Sequence, residues 1–200
     1  MIKRAFDVVV AGCGLIVLAP LLLLVAVAIR LDSPGPVLFR QSRIGCRFRP
    51  FLILKFRTMG VASGGSEITV AGDTRITRVG RLLRKTKLDE VPQLVNVLRG
   101  DMSIVGPRPE VPRYVALFRR EFEEVLSVRP GITDPASLKY RDEGVLLQRA
   151  ANPEDAYVRR ILPDKLQISA AYVASASFLA DLVVIGRTLV GLLVRNRQVG

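Results

Sequence analysis

The 200-residue sequence predicts an α+β fold that is mostly helical. Three observations support this prediction. An uncharged apolar run covers residues 8–29, two short apolar segments flank a basic turn near residue 45, and apolar residues recur at helical spacing through most of the remaining chain. A chain of this length suits one domain with a membrane element, so we divide it into residues 1–31 and residues 32–200.

The apolar run predicts a membrane helix, which would rise roughly 33 Å if it were straight. Basic residues lie on both flanks, at Lys3 and Arg4 before the run and at Arg30 after it, and cytoplasmic flanks are where such residues accumulate. Pro20 lacks a backbone N–H, so we expect a kink or break near Ala19 and a re-entrant helix with both ends on the cytoplasmic side. A straight single span is the main alternative, and a cleaved signal peptide is disfavoured by the length of the run.

The next segments favour a short β-hairpin. A turn cluster over residues 32–36 ends the membrane helix, and residues 37–39 and 51–54 then flank a loop that contains Gly and Pro. The second strand is expected to continue to Met59. Residues 60–74 are rich in Gly and Ser and predict a mobile loop.

Helical periodicity dominates the rest of the chain. Residues 75–84 predict a basic amphipathic helix, a second helix follows Asp89 and ends at Gly100, and a third covers residues 111–128. The tail over residues 168–194 is apolar but carries Asp181 and Arg187, so a pair of amphipathic helices, interfacial or packed on the core, is favoured over a second span.

The amino-acid composition favours some classes of function and disfavours others. The net charge is +12 and half of the residues are hydrophobic, a combination that suits an anionic lipid surface or a phosphate ligand. Nucleic acid is disfavoured because aromatic residues make up 6% and Trp is absent. The absence of His excludes the usual triads and the usual zinc ligand, so catalysis would depend on carboxylates, amines or a metal. Cys13 and Cys46 have no spacing typical of a disulfide framework.

One acidic pair, Asp89-Glu90, lies in strongly basic surroundings that include Arg84 and Lys87. Nearby cations favour ionised carboxylates, and an ionised Asp can be a nucleophile or a magnesium ligand. The alternative is that Asp89 only caps the following helix, since Asp is a favoured N-cap residue. The spacing alone leaves both interpretations open.

A second candidate is the turn Gly106-Pro107-Arg108-Pro109, which presents one arginine between two prolines. A guanidinium held in this way can bind a phosphate through two hydrogen bonds. The alternative is an ordinary surface turn with a solvated arginine.

Taken together, these segments resemble the bacterial sugar transferases, which are monotopic polyprenyl-phosphate phosphoglycosyl transferases. The resemblance covers nearly the whole chain and rests on the following segments in order: residues 3–7 (KRAFD), Pro20, residues 33–37 (SPGPV), residues 55–59 (KFRTM), residues 88–93 (LDEVPQ), residues 100–109 (GDMSIVGPRP) and residues 129–133 (RPGIT).

The resemblance implies transfer of a sugar 1-phosphate from a UDP-sugar to undecaprenyl phosphate, with release of UMP. It implies that Asp89 attacks the β-phosphorus, that Glu90 and a magnesium ion assist, and that residues 32–200 form a cytoplasmic catalytic domain. The residues that it places around the phosphates are Lys55, Arg84, Arg108 with its flanking Pro107 and Pro109, and Arg141. It further implies a location at the cytoplasmic face of the bacterial inner membrane, and it leaves a homo-oligomer open.

The sequence departs from the family pattern in two places. Many members read Gly-Trp-Ala-Gln-Val after the segment that ends at Thr133, whereas this chain reads Asp134-Pro135-Ala136-Ser137-Leu138. Many members also have an aspartate where this chain has Ser169. The sugar preference and the role of that carboxylate therefore cannot be transferred. The alternative functions are a non-catalytic basic membrane adaptor, which would use the face formed by residues 75–84, and a membrane-tethered nucleic-acid-binding module.

Overall fold

Residues 2–60 and 68–197, which the computed structural model of the protein describes, form ten α-helices and two small β-sheets. This confirms the α+β, mostly helical prediction. The helices are α1 (Ile2–Asp32), α2 (Arg78–Thr86), α3 (Gln93–Arg99), α4 (Pro112–Leu117), α5 (Arg119–Val125), α6 (Pro135–Lys139), α7 (Glu143–Gln148), α8 (Pro153–Ala156), α9 (Leu162–Ala174) and α10 (Phe178–Arg197). The strands are β1 (Leu38–Ile44), β2 (Pro50–Phe56), β3 (Ser103–Val105) and β4 (Gly131–Thr133).

Helix α1 is one helix that continues on both sides of Pro20. The predicted separation into two arms near Ala19 is therefore not confirmed. The helix is long and apolar enough to cross a membrane, with 31 residues and a mean hydropathy of 2.9 in its most apolar window. Only a narrow face is buried, at Asp7, Ala11, Val25 and Ile29.

Both ends of α1 contact the rest of the protein. Near the first turn, Arg4 Nη1 donates to Val97 O at 2.6 Å in α3. Near the last turn, Asp32 Oδ2 accepts from Val79 N at 3.0 Å in α2, and Arg57 Nη2 donates to Ile29 O at 3.2 Å. The helix is thus attached to the rest of the protein at each end, while most of its apolar surface between them stays exposed.

The predicted hairpin is confirmed. Strands β1 and β2 pair antiparallel, with Leu38 opposite Phe56 and Ile44 opposite Pro50. The first strand runs farther into the basic segment than predicted, and the second ends at Phe56 rather than at Met59, which forms an isolated bridge with Ile76.

The second sheet is a short parallel pair that the sequence did not predict. Ser103 lies opposite Gly131, and Val105 lies opposite Thr133. The strands approach so closely beyond Val105 that a Cβ on Gly106 would overlap Arg129 O and lie 3.0 Å from Gly131 N. Glycine is therefore the residue that fits where β3 turns toward Arg108.

The helix predictions need two adjustments. The basic helix is α2, which begins at Arg78 because the Thr77 side chain caps it by accepting from Gly80 N at 3.0 Å. The helix predicted over residues 111–128 is two helices, α4 and α5, separated by the non-helical backbone of Phe118. The predicted tail pair is present as α9 and α10. Of the predicted mobile loop, residues 61–67 lie outside the described residues.

Helix α10 has a buried and an exposed face. Asp181 and Val184 are buried, and Asp181 accepts hydrogen bonds from Lys3 in α1 and from the Tyr172 hydroxyl in α9. Leu179 and Val190 lie on the exposed face. The helix is therefore packed on the core along one side and leaves an apolar stripe on the other.

Candidate active site

A large cavity lies between the hairpin, the turn after α2, the segment after β3, and the turn between α6 and α7. Its volume is about 1730 Å³. The structure brings most of the predicted site residues to its wall. Those residues are Lys55, Arg84, Asp89, Glu90, Arg108, Pro109 and Arg141, whereas Pro107 is absent from the described lining residues.

Asp89 does not cap the following helix, so the interpretation of Asp89 as an N-cap residue is wrong. The residue lies in a separate 3₁₀ turn, Leu88–Glu90, and the N-cap position of α3 is Pro92. Helix α2 ends at Thr86, and the left-handed backbone of its C-cap residue Lys87 (φ 60°) precedes the turn in which both carboxylates are buried. Local spacing could not distinguish this buried turn from a capped helix start, because the burial comes from distant segments.

The carboxylate of Asp89 is buried without a full set of hydrogen-bond partners. The residue is only 8% exposed, and its Oδ1 has no hydrogen-bond partner among the described residues. Burial raises the pKa of Asp89 above its usual range, and the negative charge of Glu90 adds to this. Lys55, Lys87 and Arg84 offset part of the increase. A buried, unpartnered carboxylate oxygen that faces cationic groups is suited to attack an electrophile or to bind a cation.

Unlike Asp89, Glu90 accepts hydrogen bonds from positively charged side chains. Its Oε1 accepts from Lys55 Nζ at 2.9 Å and from Arg108 Nη2, and its Oε2 lies 3.4 Å from Arg108 Nη1. Burial alone would raise the pKa of Glu90, but Arg108, Lys55 and Lys87 together hold it well below its usual range. Glu90 is thus ionised and serves as the counter-ion of two partly buried cations.

The site shifts the pKa values of Arg108 and Lys55 in opposite directions. The charge of Glu90 raises the pKa of the Arg108 guanidinium, so Arg108 keeps its charge. Burial lowers the pKa of the Lys55 ammonium, an effect that Glu90 opposes. Both groups line the cavity, where their remaining N–H donors can meet an anionic ligand.

Arg84 reaches the cavity from α2. Its Nε donates to Thr58 Oγ1 at 2.9 Å, and Thr58 is buried beyond the end of β2. The Thr58 backbone also accepts from Thr77 N at 3.0 Å, so the hydroxyl that holds Arg84 is itself fixed to the start of α2. Burial lowers the pKa of Arg84, and the nearby Asp89 opposes this.

The turn that carries Arg108 is held from both sides. The Pro107 carbonyl accepts from Gly131 N at 3.0 Å, and the Pro109 carbonyl accepts from Arg43 Nη1 at 3.2 Å. Pro107 therefore supports the turn from within the protein, whereas Pro109 contributes to the cavity wall. The predicted rigid presentation of Arg108 is consistent with these contacts.

The residues fit a magnesium ion only in part. Among the residues that the structure describes, no group of three or more Cys, Asp or Glu side chains could by itself hold a metal. Asp89 Oδ1 is a buried oxygen without a partner, which suits a cation, while the Glu90 oxygens are already engaged by Lys55 and Arg108. Magnesium is commonly held by one or two carboxylates together with substrate phosphates, and Asp89 meets that requirement.

Sequence reasoning missed several supporting residues. Thr58 lies within the quoted segment 55–59 without an assigned role, and Arg43, Glu110 and Tyr157 form an unpredicted cluster beside the cavity. Asp7 is also buried, and it binds β3 by accepting from Ser103 Oγ at 2.9 Å and from Ile104 N at 3.0 Å. A charged residue one position before a long uncharged run was the available signal for Asp7.

Comparison with known proteins points in the same direction. The family model described as "Bacterial sugar transferase" matches residues 1–195. A UDP-glucose:undecaprenyl-phosphate glucose-1-phosphate transferase of Caulobacter vibrioides is 42% identical over 199 residues, which are 97% of this chain and 70% of that protein. The exopolysaccharide production protein PSS of Rhizobium leguminosarum bv. phaseoli is 39% identical and covers 98% of each chain.

A third relative differs in the sugar that its name contains. The UDP-N-acetylgalactosamine-undecaprenyl-phosphate N-acetylgalactosaminephosphotransferase of Aeromonas hydrophila is 38% identical over 193 residues, which are 94% of this chain and 43% of that protein. The chain thus spans under half of that relative and nearly all of PSS.

Proposed function

This chain belongs to the bacterial sugar transferase family, and from that membership we propose that it transfers a sugar 1-phosphate from a UDP-sugar to undecaprenyl phosphate and releases UMP. The observation that carries the proposal is the pair Asp89 and Glu90 at the wall of a cavity that Lys55, Arg84 and Arg108 also line. The product would be the lipid-linked first sugar of a glycoconjugate such as an exopolysaccharide.

The reaction proceeds in two displacements at phosphorus. A carboxylate oxygen of Asp89 attacks the β-phosphorus of the UDP-sugar, and the bond from that phosphorus to the oxygen bridging to the α-phosphate breaks. UMP leaves with the bridging oxygen, and a phosphosugar-aspartate remains. A phosphate oxygen of undecaprenyl phosphate then attacks the same phosphorus, the bond to Asp89 breaks, and the carboxylate is restored.

The basic residues provide the electrostatic support that these displacements need. Lys55, Arg84, Arg108 and Arg141 offset the charge of the diphosphate and the charge that develops on the leaving UMP. Glu90 does not need to react for this purpose, because it holds Lys55 and Arg108 in place as their counter-ion. The cavity is larger than the roughly 300–1,000 Å³ of ordinary small-molecule sites, which is consistent with two substrates.

A magnesium ion is the cofactor that we propose, held by Asp89 and phosphate oxygens, with Glu90 as a further carboxylate beside it. When bound, it would neutralise diphosphate charge. The unpartnered Oδ1 of Asp89 supports this proposal. The chain's own contribution is to place Asp89 at the cavity wall with one carboxylate oxygen buried and without a hydrogen-bond partner among the described residues.

We further propose that the protein sits on the cytoplasmic face of the bacterial inner membrane without crossing it. Both ends of α1 bind the rest of the protein, through Arg4 and through Asp32, which is consistent with both ends lying on one side of the membrane. Between these ends, exposed apolar side chains such as Ile16, Val17 and Leu24 are available to lipid.

The nucleophile is tested by Asp89→Asn, with UMP release measured in the presence of magnesium, undecaprenyl phosphate and a panel of UDP-sugars. We expect turnover to fall to background, because the amide is a poor nucleophile of nearly the same shape. Glu123→Gln, which alters an exposed acid on α5, is the matched control and should retain activity. Near-normal UMP release by Asp89→Asn would exclude Asp89 as the nucleophile.

The same panel tests the alternative. If the parent protein released no UMP with any UDP-sugar, a non-catalytic basic adaptor would be favoured. The structure gives this alternative limited support, because Arg84 turns toward the cavity instead of extending the outer basic face of α2.

A further inference from the structure

Arg141 lies in the turn between α6 and α7, and it meets α10 across the cavity wall. Its Nη1 donates to the carbonyl oxygen of Gly191 at 3.1 Å. Gly191 belongs to the buried face of α10, and its neighbours Thr188 and Leu192 line the cavity together with Arg141. The C-terminal helix therefore forms part of the same wall as the basic residues.

The contact depends on the absence of a side chain at position 191. A Cβ placed on Gly191 would overlap Arg141 Nη2 and lie 2.7 Å from the guanidinium carbon, Cζ. The guanidinium thus lies directly against the helix backbone. A methyl group at position 191 would displace the Arg141 side chain, whereas the backbone of α10 would stay in place.

Arg141 keeps donors available after this contact. A guanidinium has five N–H donors, and the Gly191 carbonyl is the one acceptor that Arg141 has among the described residues. The part of the guanidinium that does not face α10 can bind a phosphate. An anchored arginine loses less conformational freedom on binding an anion than one that moves freely.

A second contact ties α10 to the turn that carries Arg108. Thr188 Oγ1 and Thr133 Oγ1 share a hydrogen bond of 2.7 Å, and Thr133 lies opposite Val105 in the parallel sheet. The Thr133 carbonyl accepts from Gly106 N at 3.1 Å. One face of α10 therefore supports both arginines, directly at Arg141 and through β4 at Arg108.

We propose that α10 is a positioning element of the active site and that Gly191 is a positioning residue, because it holds the Arg141 guanidinium where it binds the diphosphate of the UDP-sugar. This inference rests on the proposed function. It adds to the site a helix residue that itself touches no substrate.

Two glycines of the same helix allow a matched experiment. Gly191→Ala introduces the methyl group against Arg141, whereas Gly186→Ala introduces it where nothing lies within 4 Å. Each substitution brings the same gain in helix propensity, so Gly186→Ala should raise the Tm by about 2–4 °C. Gly191→Ala should lack this increase.

Kinetics test the positioning role. Gly191→Ala should raise the KM for the UDP-sugar by about tenfold with a smaller change in kcat, as expected for the loss of one hydrogen bond to a charged group that is present before and during transfer. Gly186→Ala should leave both constants unchanged. In an Arg141→Ala background, Gly191→Ala should have no further effect on KM, because the group that it displaces is gone.

Several outcomes would overturn the inference. It fails if Gly191→Ala behaves like Gly186→Ala, if it lowers kcat alone as a loss of folded protein would, or if it raises KM equally when Arg141 is absent. If the parent protein has no turnover, the proposed function fails, and the positioning role of Gly191 in that function fails with it. Tm measurements on the same variants would then still show whether the lower Tm of Gly191→Ala, relative to Gly186→Ala, requires Arg141. That result tests the contact between Gly191 and Arg141 independently of turnover.

Discussion

Asp89 and Glu90 are neighbours in one 3₁₀ turn and equally buried, yet their electrostatic environments are opposite. Glu90 accepts from Lys55 and Arg108, while Asp89 Oδ1 has no described partner. The pKa of Asp89 is raised and that of Glu90 is lowered. A pair with divided pKa values is how a site assigns different roles to two identical functional groups.

Asp89→Asn should stabilise the protein in neutral solution. Because the pKa of Asp89 is higher in the folded protein than its ordinary value of 3.8, the ionised carboxylate opposes folding once the pH exceeds that value. Removing it should raise the free energy of unfolding by about 0.5–2 kcal/mol at pH 7. Urea unfolding at several pH values checks this, and the gain should vanish below pH 3.8. A gain that is independent of pH would contradict it.

Glu90→Gln should have the opposite effect. The lowered pKa of Glu90 means that its carboxylate stabilises the folded protein above the ordinary value of 4.5, and this stability is lost as the pH falls through the folded-state pKa. The substitution leaves Lys55 and Arg108 without their counter-ion, which should cost about 2–4 kcal/mol at pH 7.

The same urea series measures this loss, with Glu123→Gln as the control for an exposed acid. The cost of Glu90→Gln should shrink toward acid pH, while the control should show little change at any pH. Equal unfolding free energies for Glu90→Gln and the parent at pH 7 would show that the Glu90 contacts contribute little.

At the residue scale, the sequence predicts which side chains are candidates for chemistry, but it does not predict how they are held. Asp89, Glu90 and Arg108 were recognisable from their charge context and their proline-bracketed turn. The contact of Arg108 with Glu90 joins residues 18 positions apart in separate elements, so no local pattern reports it. Nor does a local pattern report that Thr58 holds Arg84, because this contact depends on how β2 and α2 pack.

Among the elements, α1 depends on a few polar contacts at its ends. Asp7 is 3% exposed and joins the first turns of α1 to β3 through Ser103 Oγ and Ile104 N. Strand β3 continues directly into the turn that carries Arg108. Helix α1 and Arg108 therefore share one short strand as their support.

Asp7→Ala should weaken that support. It leaves Ile104 N buried without an acceptor, which should destabilise the protein by about 2 kcal/mol. Thermal unfolding in detergent measures the loss, and UMP release should fall with it because β3 leads to Arg108. Ser103→Ala removes only one of the two hydrogen bonds and should have the smaller effect. Equal effects of the two substitutions would argue against the Ile104 contact.

The elements differ in how well the sequence predicts them. The β1–β2 hairpin was predictable because its strands are adjacent and their pairing is local. The parallel pair β3–β4 was not, because its strands are three residues long and separated by 25 residues that include two helices. The continuity of α1 through Pro20 also differs from expectation, since a proline in a helix can be accommodated without ending it.

For the whole molecule, the position relative to the membrane is the main open prediction. We expect both ends of α1 to lie on the cytoplasmic side. With Cys13 and Cys46 replaced by Ser, single cysteines at Ile2 and at Leu31, which are 74% and 83% exposed, should both react with a membrane-impermeant maleimide in inverted vesicles. Neither should react in right-side-out vesicles.

A cysteine at Glu123 in α5 marks the side on which the domain lies. If Ile2→Cys and Leu31→Cys were labelled from opposite sides, α1 would cross the bilayer. That result would exclude the monotopic arrangement and would leave the chemistry at Asp89 unaffected.

The close approach of β3 and β4 also has a consequence for how this protein can vary. A Cβ on Gly131 would lie 2.7 Å from Gly106 Cα, so neither glycine can gain a side chain without separating the strands. In a scan of all single substitutions selected for activity, Gly106 and Gly131 should therefore tolerate as little change as Asp89. Intolerance to substitution would then mark two kinds of position in this protein, one that performs the chemistry and one that keeps two backbones in contact.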